Sequence, residues 1–178
     1  MNFILNGKKV NIRRLTICDV QDIHKNINDK QITKWTLRIP YPYKKIYALR
    51  FIKESKYNLK KKTAHVFGIV LKKTDNVIGI IDLHSICWEN KNAEIGYWIG
   101  RRFWGEGITT EAVKLVSQFG FKKLHLKRIY AKVFNGNKAS LQVLQKNGFK
   151  KEGVLRKSRF KNNKWIDEII LSKLNTSN

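Results

Sequence analysis

The chain has 178 residues, enough for one domain with a core of its own. Hydrophobic residues make up 42%, which excludes a disordered polymer, and no apolar run reaches membrane-spanning length. Two distant cysteines, Cys18 and Cys87, make neither a disulfide framework nor a metal cluster, and 37 Lys and Arg against 13 Asp and Glu give a net charge of +24.

That charge attracts polyanions, nucleic acid and phosphorylated cofactors among them. A lysine-rich coding bias or a heat-adapted surface would give the same excess. From Ala112 to Lys151 there is no acidic residue, yet ten are Lys or Arg. The first seven residues are too short and polar for a secretory leader. A soluble, cytoplasmic protein without membrane contact is expected. The isolated His24, His65 and His125 carry no zinc spacing, so no metal is expected.

Residues 7–15 read as a first strand. Thr16 and Asp19 have nearly capping-box spacing, and a helix follows on Val20, Ile23 and Ile27. Residues 35–43 hold both prolines, Pro40 and Pro42, and read as a loop. Residues 44–59 read as a second helix carrying Ile46, Leu49, Phe51 and Ile52. The period then changes. Residues 65–72 and 77–87 are apolar, β-branched segments around Lys73-Thr74-Asp75-Asn76, a hairpin signal. Residues 92–99 alternate, with Ala93, Ile95, Tyr97 and Ile99 on one face and Glu94, Gly96 and Trp98 on the other.

Next comes Arg102-Phe103-Trp104-Gly105-Glu106-Gly107, between that strand and a helix over residues 109–119. Two glycines at a strand-to-helix junction let the backbone turn tightly and expose its N–H groups, a natural anion site. Residues 128–134 form another strand. A short helix over 138–146 follows, with Asn137 as N-cap and Gly148 as its left-handed terminator. Residues 149–158 and 165–173 close the chain as a hairpin around Lys161-Asn162-Asn163-Lys164. The order implies one α/β (α+β) domain over residues 8–174, with a mixed, mostly antiparallel sheet of seven strands and about four helices.

Two successive strand-to-helix junctions end on one edge of the sheet. A ligand lying there could meet the glycine loop with its phosphates and Asn137 and Ser140 with its reactive end. The segment Ala93-Glu94-Ile95-Gly96-Tyr97-Trp98-Ile99-Gly100, the R-x-x-G-x-G loop, Thr110-Glu111-Ala112, the N-x-x-S at Asn137 and Ser140, and the ending Lys146-Asn147-Gly148-Phe149 together resemble the GNAT superfamily of N-acetyltransferases. Within it the chain is similar to the RimJ/RimL-type branch, whose members acetylate N-terminal amines of ribosomal proteins.

The resemblance implies a sheet whose two central parallel strands splay apart. It implies acetyl-CoA as co-substrate, with the pantetheine arm pairing along Tyr97, Trp98 and Ile99. The pyrophosphate is expected on the N–H groups of Arg102, Gly105, Glu106, Gly107, Ile108 and Thr109. Asn137 is expected to bond the arm and Ser140 to lie near the sulfur. The acceptor is a primary amine, either a protein N-terminus or a small molecule such as a polyamine or aminoglycoside. A basic ribosome- or RNA-binding module is the reading from another class. Ribosome association through the basic surface, as monomer or homodimer, fits the charge.

A backbone N–H of Trp98 or Ile99 would stabilise an oxyanion. Ser140 would assist the departing thiolate. Where some relatives carry a carboxylate after the Gly-Phe ending, this chain has Arg159. Glu94 is therefore the first candidate for general base, with Asp82, His84 or a water relay as alternatives. Trp35, Tyr41 and Tyr43 are the candidates for lining the acceptor groove, or equally for capping the core.

Overall fold

The computed structural model describes residues 4–176. Residues 1–3 and 177–178, the outermost parts of the N-terminal stretch and of the polar tail, lie outside the described residues. The strands are β1 (Ile4–Asn6), β2 (Val10–Arg13), β3 (His65–Leu71), β4 (Val77–Cys87), β5 (Asn92–Ile99), β6 (Arg128–Phe134), β7 (Lys150–Lys161) and β8 (Lys164–Leu174). The helices are α1 (Val20–Ile27), α2 (Lys30–Thr33), α3 (Lys45–Lys60), α4 (Ile108–Lys122) and α5 (Lys138–Lys146).

All eight strands form one sheet in the order β1-β2-β3-β4-β5-β6-β8-β7. The expected seven strands become eight because residues 7–15 are not one strand. Gly7 turns the chain, its N–H bonded to the Val10 carbonyl at 2.9 Å, and β1 precedes it. A three-residue strand is too short to show a period. The fifth helix, α2, is likewise a single turn, started by Asp29, whose Oδ1 accepts from the Gln31 N–H at 2.7 Å.

Every strand contact is antiparallel except that of β5 with β6. Those two pair only at Asn92, Ala93 and Glu94, opposite Arg128, Ile129 and Tyr130, and then diverge. The divergence places the site. One sheet face carries Ala93, Ile95 and Ile99 with Ile129, Ala131 and Val133, packed under Ala112, Val113 and Val116 of α4 and Leu144 of α5. The opposite face buries Val70, Val77 and Ile80 beneath Ile23, Ile27 and Ile52 of α1 and α3. Alternation along β5 therefore sends Tyr97 toward the helix α5 side and Glu94 to the other.

Candidate active site

Gly105 and Gly107 stand at φ +80° and +75°, in the left-handed region where a side chain is strained. A Cβ added at either meets nothing within 4 Å, so the loop presents bare backbone to open space. Gly107 is the N-cap of α4 and supplies no side-chain cap. Among the described residues, the N–H groups of residues 105–110 donate no hydrogen bond. Those orphan donors and the helix dipole make an anion cradle. Ile108 is 1% exposed and anchors the loop in the core. The Arg102 guanidinium lies 4.7 Å from the Phe103 ring centroid on the exposed side.

Lys9, which the sequence did not single out, and Glu111, quoted there only as part of a motif, hold this loop. The Lys9 ammonium donates to the Glu106 carbonyl at 2.6 Å. Glu111, in the first turn of α4, accepts from the Lys9 N–H at 3.1 Å and also from the Lys8 N–H. Trp104 is exposed, but its indole N–H donates to the Ile99 carbonyl at 3.0 Å.

At the splay, the Gly100 N–H bonds the Ile78 carbonyl of β4 at 2.9 Å. Antiparallel alternation then turns the Trp98 backbone toward β4 and leaves Tyr97 and Ile99 facing the gap. Trp98 itself packs against the α1/α3 cluster. Across the gap, Asn137 caps α5 by accepting from the Ser140 N–H at 3.2 Å, which leaves its amide NH2 able to donate. The Tyr97 hydroxyl lies 2.8 Å from Ser140 Oγ. Burial raises the Tyr97 pKa well above its ordinary value, the Ser140 hydrogen bond opposing only in part, so this hydroxyl keeps its proton. Alternation along β5 puts Tyr97 on the face that α5 covers, but the contact itself is set by where α5 settles.

The opposite face carries charge. Glu94 lies 3.4 Å from Lys132 Nζ on β6 and 3.9 Å from His84 Nε2 on β4. His84 Nδ1 is 2.6 Å from Asp82 Oδ1. Gly96 leaves room for this pair, since a Cβ there would stand 3.1 Å from Asp82 Oδ1 and 3.3 Å from His84 Cε1. Burial opposes charge on His84, but the Asp82 hydrogen bond and the carboxylates of Asp82 and Glu94 outweigh it. Its pKa stands above the ordinary value.

Of the three aromatics read as groove residues, Tyr43 is 7% exposed and packs in the core edge-on to Tyr47. Tyr41 is 49% exposed, and the Trp35 ring edge stands near Gly136 in the β6–α5 turn. The Trp35 loop is fastened by Lys161 from the β7–β8 hairpin, which donates to the carbonyls of Thr33, Lys34 and Thr36. Arg159 forms an ion pair with the buried Glu168, Nε to Oε2 at 3.1 Å, and Ser158 Oγ donates to the same oxygen at 2.9 Å. Glu168 stands on β8 opposite Leu155 of β7.

Residues 9–150 match the family model described as an acetyltransferase (GNAT) domain. The chain belongs to the GNAT acetyltransferase family. It is 34% identical over 176 residues, 97% of each protein, to the "Probable N-acetyltransferase YjcK" of Bacillus subtilis. It is 42% identical over 111 residues to the "Uncharacterized N-acetyltransferase p20" of Bacillus licheniformis, a match spanning 62% of each protein. The ribosomal-protein-serine acetyltransferase of Escherichia coli is 36% identical over 95 residues, 53% of each protein. Among solved structures, the microcin C7 self-immunity acetyltransferase MccE, in complex with acetyl-CoA and AMP, superposes with a TM-score of 0.85 at 26% identity, covering 95% of this chain and 94% of its own. The GNAT fold, with its single parallel strand pair, and the N-acetyltransferase class are thereby established for this chain. Among the described residues, no helix is long and apolar enough to cross a membrane, and no group of His, Cys, Asp or Glu is placed to hold a metal ion.

Proposed function

We propose that residues 8–174 act as one transferase domain that moves an acetyl group from acetyl-CoA to the N-terminal α-amine of a protein. The observation that carries this is the pairing of two features at one sheet edge. Orphan N–H groups line residues 105–110, and the Tyr97 and Ser140 hydroxyls meet in the gap beside them. The cradle fits a pyrophosphate because both of its glycines face open space.

Bound acetyl-CoA would supply the acetyl group as a thioester, already activated for attack. In this reading the loop N–H groups and Arg102 hold the phosphates, and the Asn137 amide bonds the pantetheine arm. The Ile99 N–H, turned to the gap, is the oxyanion donor in place of Trp98. Ser140 and Tyr97 offer a proton to the departing sulfur. Burial keeps the Tyr97 hydroxyl protonated, so it stays a hydrogen-bond donor at neutral pH.

The amine must be neutral to attack. An α-amine near pKa 8 loses its proton far more readily than a lysine near 10.4. Glu94 accepts that proton directly or through water, with His84 and Asp82 beside it. Trp35 and Tyr41 border the acceptor entrance. A protein acceptor is supported by the relative that acetylates a ribosomal protein serine. The charge of +24 favours approach to a polyanionic particle such as a ribosome.

The test is an intact-mass comparison of ribosomal proteins incubated with acetyl-CoA and with wild-type or Glu94→Gln enzyme. A gain of one acetyl group at an N-terminus, slowed by the substitution with a shifted pH profile, is expected. Turnover of polyamines with no acetylated N-terminus would move the acceptor to a small amine. An unchanged pH profile would remove Glu94 as base.

A further inference from the structure

The end of the sheet remote from the glycine loop gathers lysines that acetyl transfer does not use. It is formed by the C-terminus of α3, the end of β4, the starts of β5, β6 and β7, and the C-terminus of α4. The backbone ties these pieces together. The Lys127 N–H bonds the Lys91 carbonyl at 2.7 Å, the Ile86 N–H bonds Thr63, and Lys150 pairs opposite Ser172 near the end of β8. Lys60, Lys61, Lys62, Lys91, Lys122, Lys123, Lys127, Lys150 and Lys151 are all exposed there. Of the acids at this end, Glu152 is bonded to Arg128 and Ser172, which leaves Glu89. Lys60, Lys61, Lys122 and Lys123 stand at helix C-termini, where positive charge is favoured, but Lys91, Lys127, Lys150 and Lys151 have no such role.

Two exposed aromatic rings stand among these lysines. Trp88, 43% exposed, follows β4 and is fixed by its indole N–H on the Lys62 carbonyl at 2.8 Å. Tyr57, 61% exposed, lies in the last turn of α3 with Lys61 Nζ 5.8 Å from its ring centroid. Lysines alone would suit any polyanion. Exposed rings among them suit bases that are free to unstack, because base stacking on aromatics is tolerant of sequence. We propose that this pole binds an unpaired nucleic-acid strand, phosphates on the lysines and bases on Trp88 and Tyr57. The glycine loop lies beyond the far end of β5, about 25 Å away along the strand, so both ligands bind at once.

Fluorescence anisotropy with labelled 15-mers of uridylate, of thymidylate and of duplex RNA tests this. The single strands bind, with log affinity falling against log salt at a slope of about −3 for about four phosphates. Tyr57→Ala and Trp88→Ala each weaken binding by about 5- to 150-fold, the worth of one stacked base, and leave the slope unchanged. Trp88→Phe keeps a ring and retains binding, which guards against a disturbed turn. Replacing Lys61, Lys91 and Lys127 with Glu flattens the slope. A uridylate preference assigns RNA, and equal binding assigns either strand. Equal affinity for the duplex, displacement by polyglutamate at matched charge, or wild-type binding by both alanine variants would overturn the proposal. So would displacement by saturating CoA, which would place the strand on the donor loop.

Discussion

Replacing Gly107 with Ala separates the cost of the loop's shape from the use of that shape. Gly107 stands at φ +75°, and an added methyl meets nothing within 4 Å. The substitution therefore causes no clash. It carries only the penalty of a left-handed backbone, about 1–2 kcal/mol. In a chain of this length each 1 kcal/mol lowers Tm by about 2–4 °C, so a fall of about 2–8 °C is expected. The methyl would stand before the orphan N–H groups. Losing one charge-assisted hydrogen bond to phosphate costs about 1.5–3 kcal/mol, which is roughly a 10- to 150-fold rise in KM for acetyl-CoA. Gly7→Ala reverses the ranking. A Cβ there would lie 2.5 Å from the Val10 carbonyl oxygen and 2.6 Å from Glu111 Oε1. The Glu111 side chain can yield but the carbonyl cannot without moving the turn, so Tm falls further while CoA still stabilises. Thermal unfolding with and without CoA, and donor KM from thiol release, measure both effects. A Gly107→Ala enzyme with wild-type donor KM and the full CoA-induced rise in Tm would refute the cradle.

Ser140→Ala and Tyr97→Phe should each lower kcat by about tenfold or more with donor KM little changed, since both act on the leaving sulfur in the proposed reaction; steady-state kinetics decides. Asp82→Asn should bring the His84 pKa down toward its ordinary value, read from the ring proton shifts by NMR. Because that pKa is raised in the fold, the stability that His84 contributes is full below its ordinary value and is lost as pH rises through the folded one. His65 behaves oppositely. Burial, aided by Arg14, pushes it down to about 4 from 6.5. The unfolded ring takes up its proton first, so stability falls as pH drops from about 6.5 through about 4, by up to about 1.4 kcal/mol per pH unit. Its ring packs against Phe67 and Phe119, and His65→Phe should flatten that part of the stability curve in denaturant titrations.

Elements with a local cause were legible in the sequence. Val77–Cys87, Asn92–Ile99, Arg128–Phe134 and Lys138–Lys146 have the boundaries that their periods imply. Asn137 caps α5, Gly148 stands at φ +80°, and Asn162 and Asn163 turn the last hairpin at positive φ. What stayed hidden depends on residues distant in the chain. Glu111 reaches the Lys8 and Lys9 amides, and Lys161 crosses to the carbonyls after α2. Tyr43 showed the same aromatic character as Tyr41, and only packing against Tyr47 separates core from surface. For the proposed donor site, spacing carried the positions of Gly105, Gly107, Asn137 and Ser140. It could not carry the hydroxyl contact of Tyr97, which depends on where α5 settles over β5. The charged groups of the proposed acceptor side were least legible, because Asp82, His84 and Glu94 come from two strands and no short motif holds them.

The clasp between the β1–β2 turn and the glycine loop makes the first two strands part of the proposed cofactor apparatus. The family-matched stretch begins at residue 9. A protein trimmed to that stretch would lose Gly7 and Lys8, and Glu111 would keep only one of its two amide partners. Lys9, now terminal, would swing with a frayed end instead of bracing the Glu106 carbonyl. Shortening the chain by a few residues, or weighting its first strand with a bulky fusion, would thus be felt as weaker acetyl-CoA capture well before the core itself loosened.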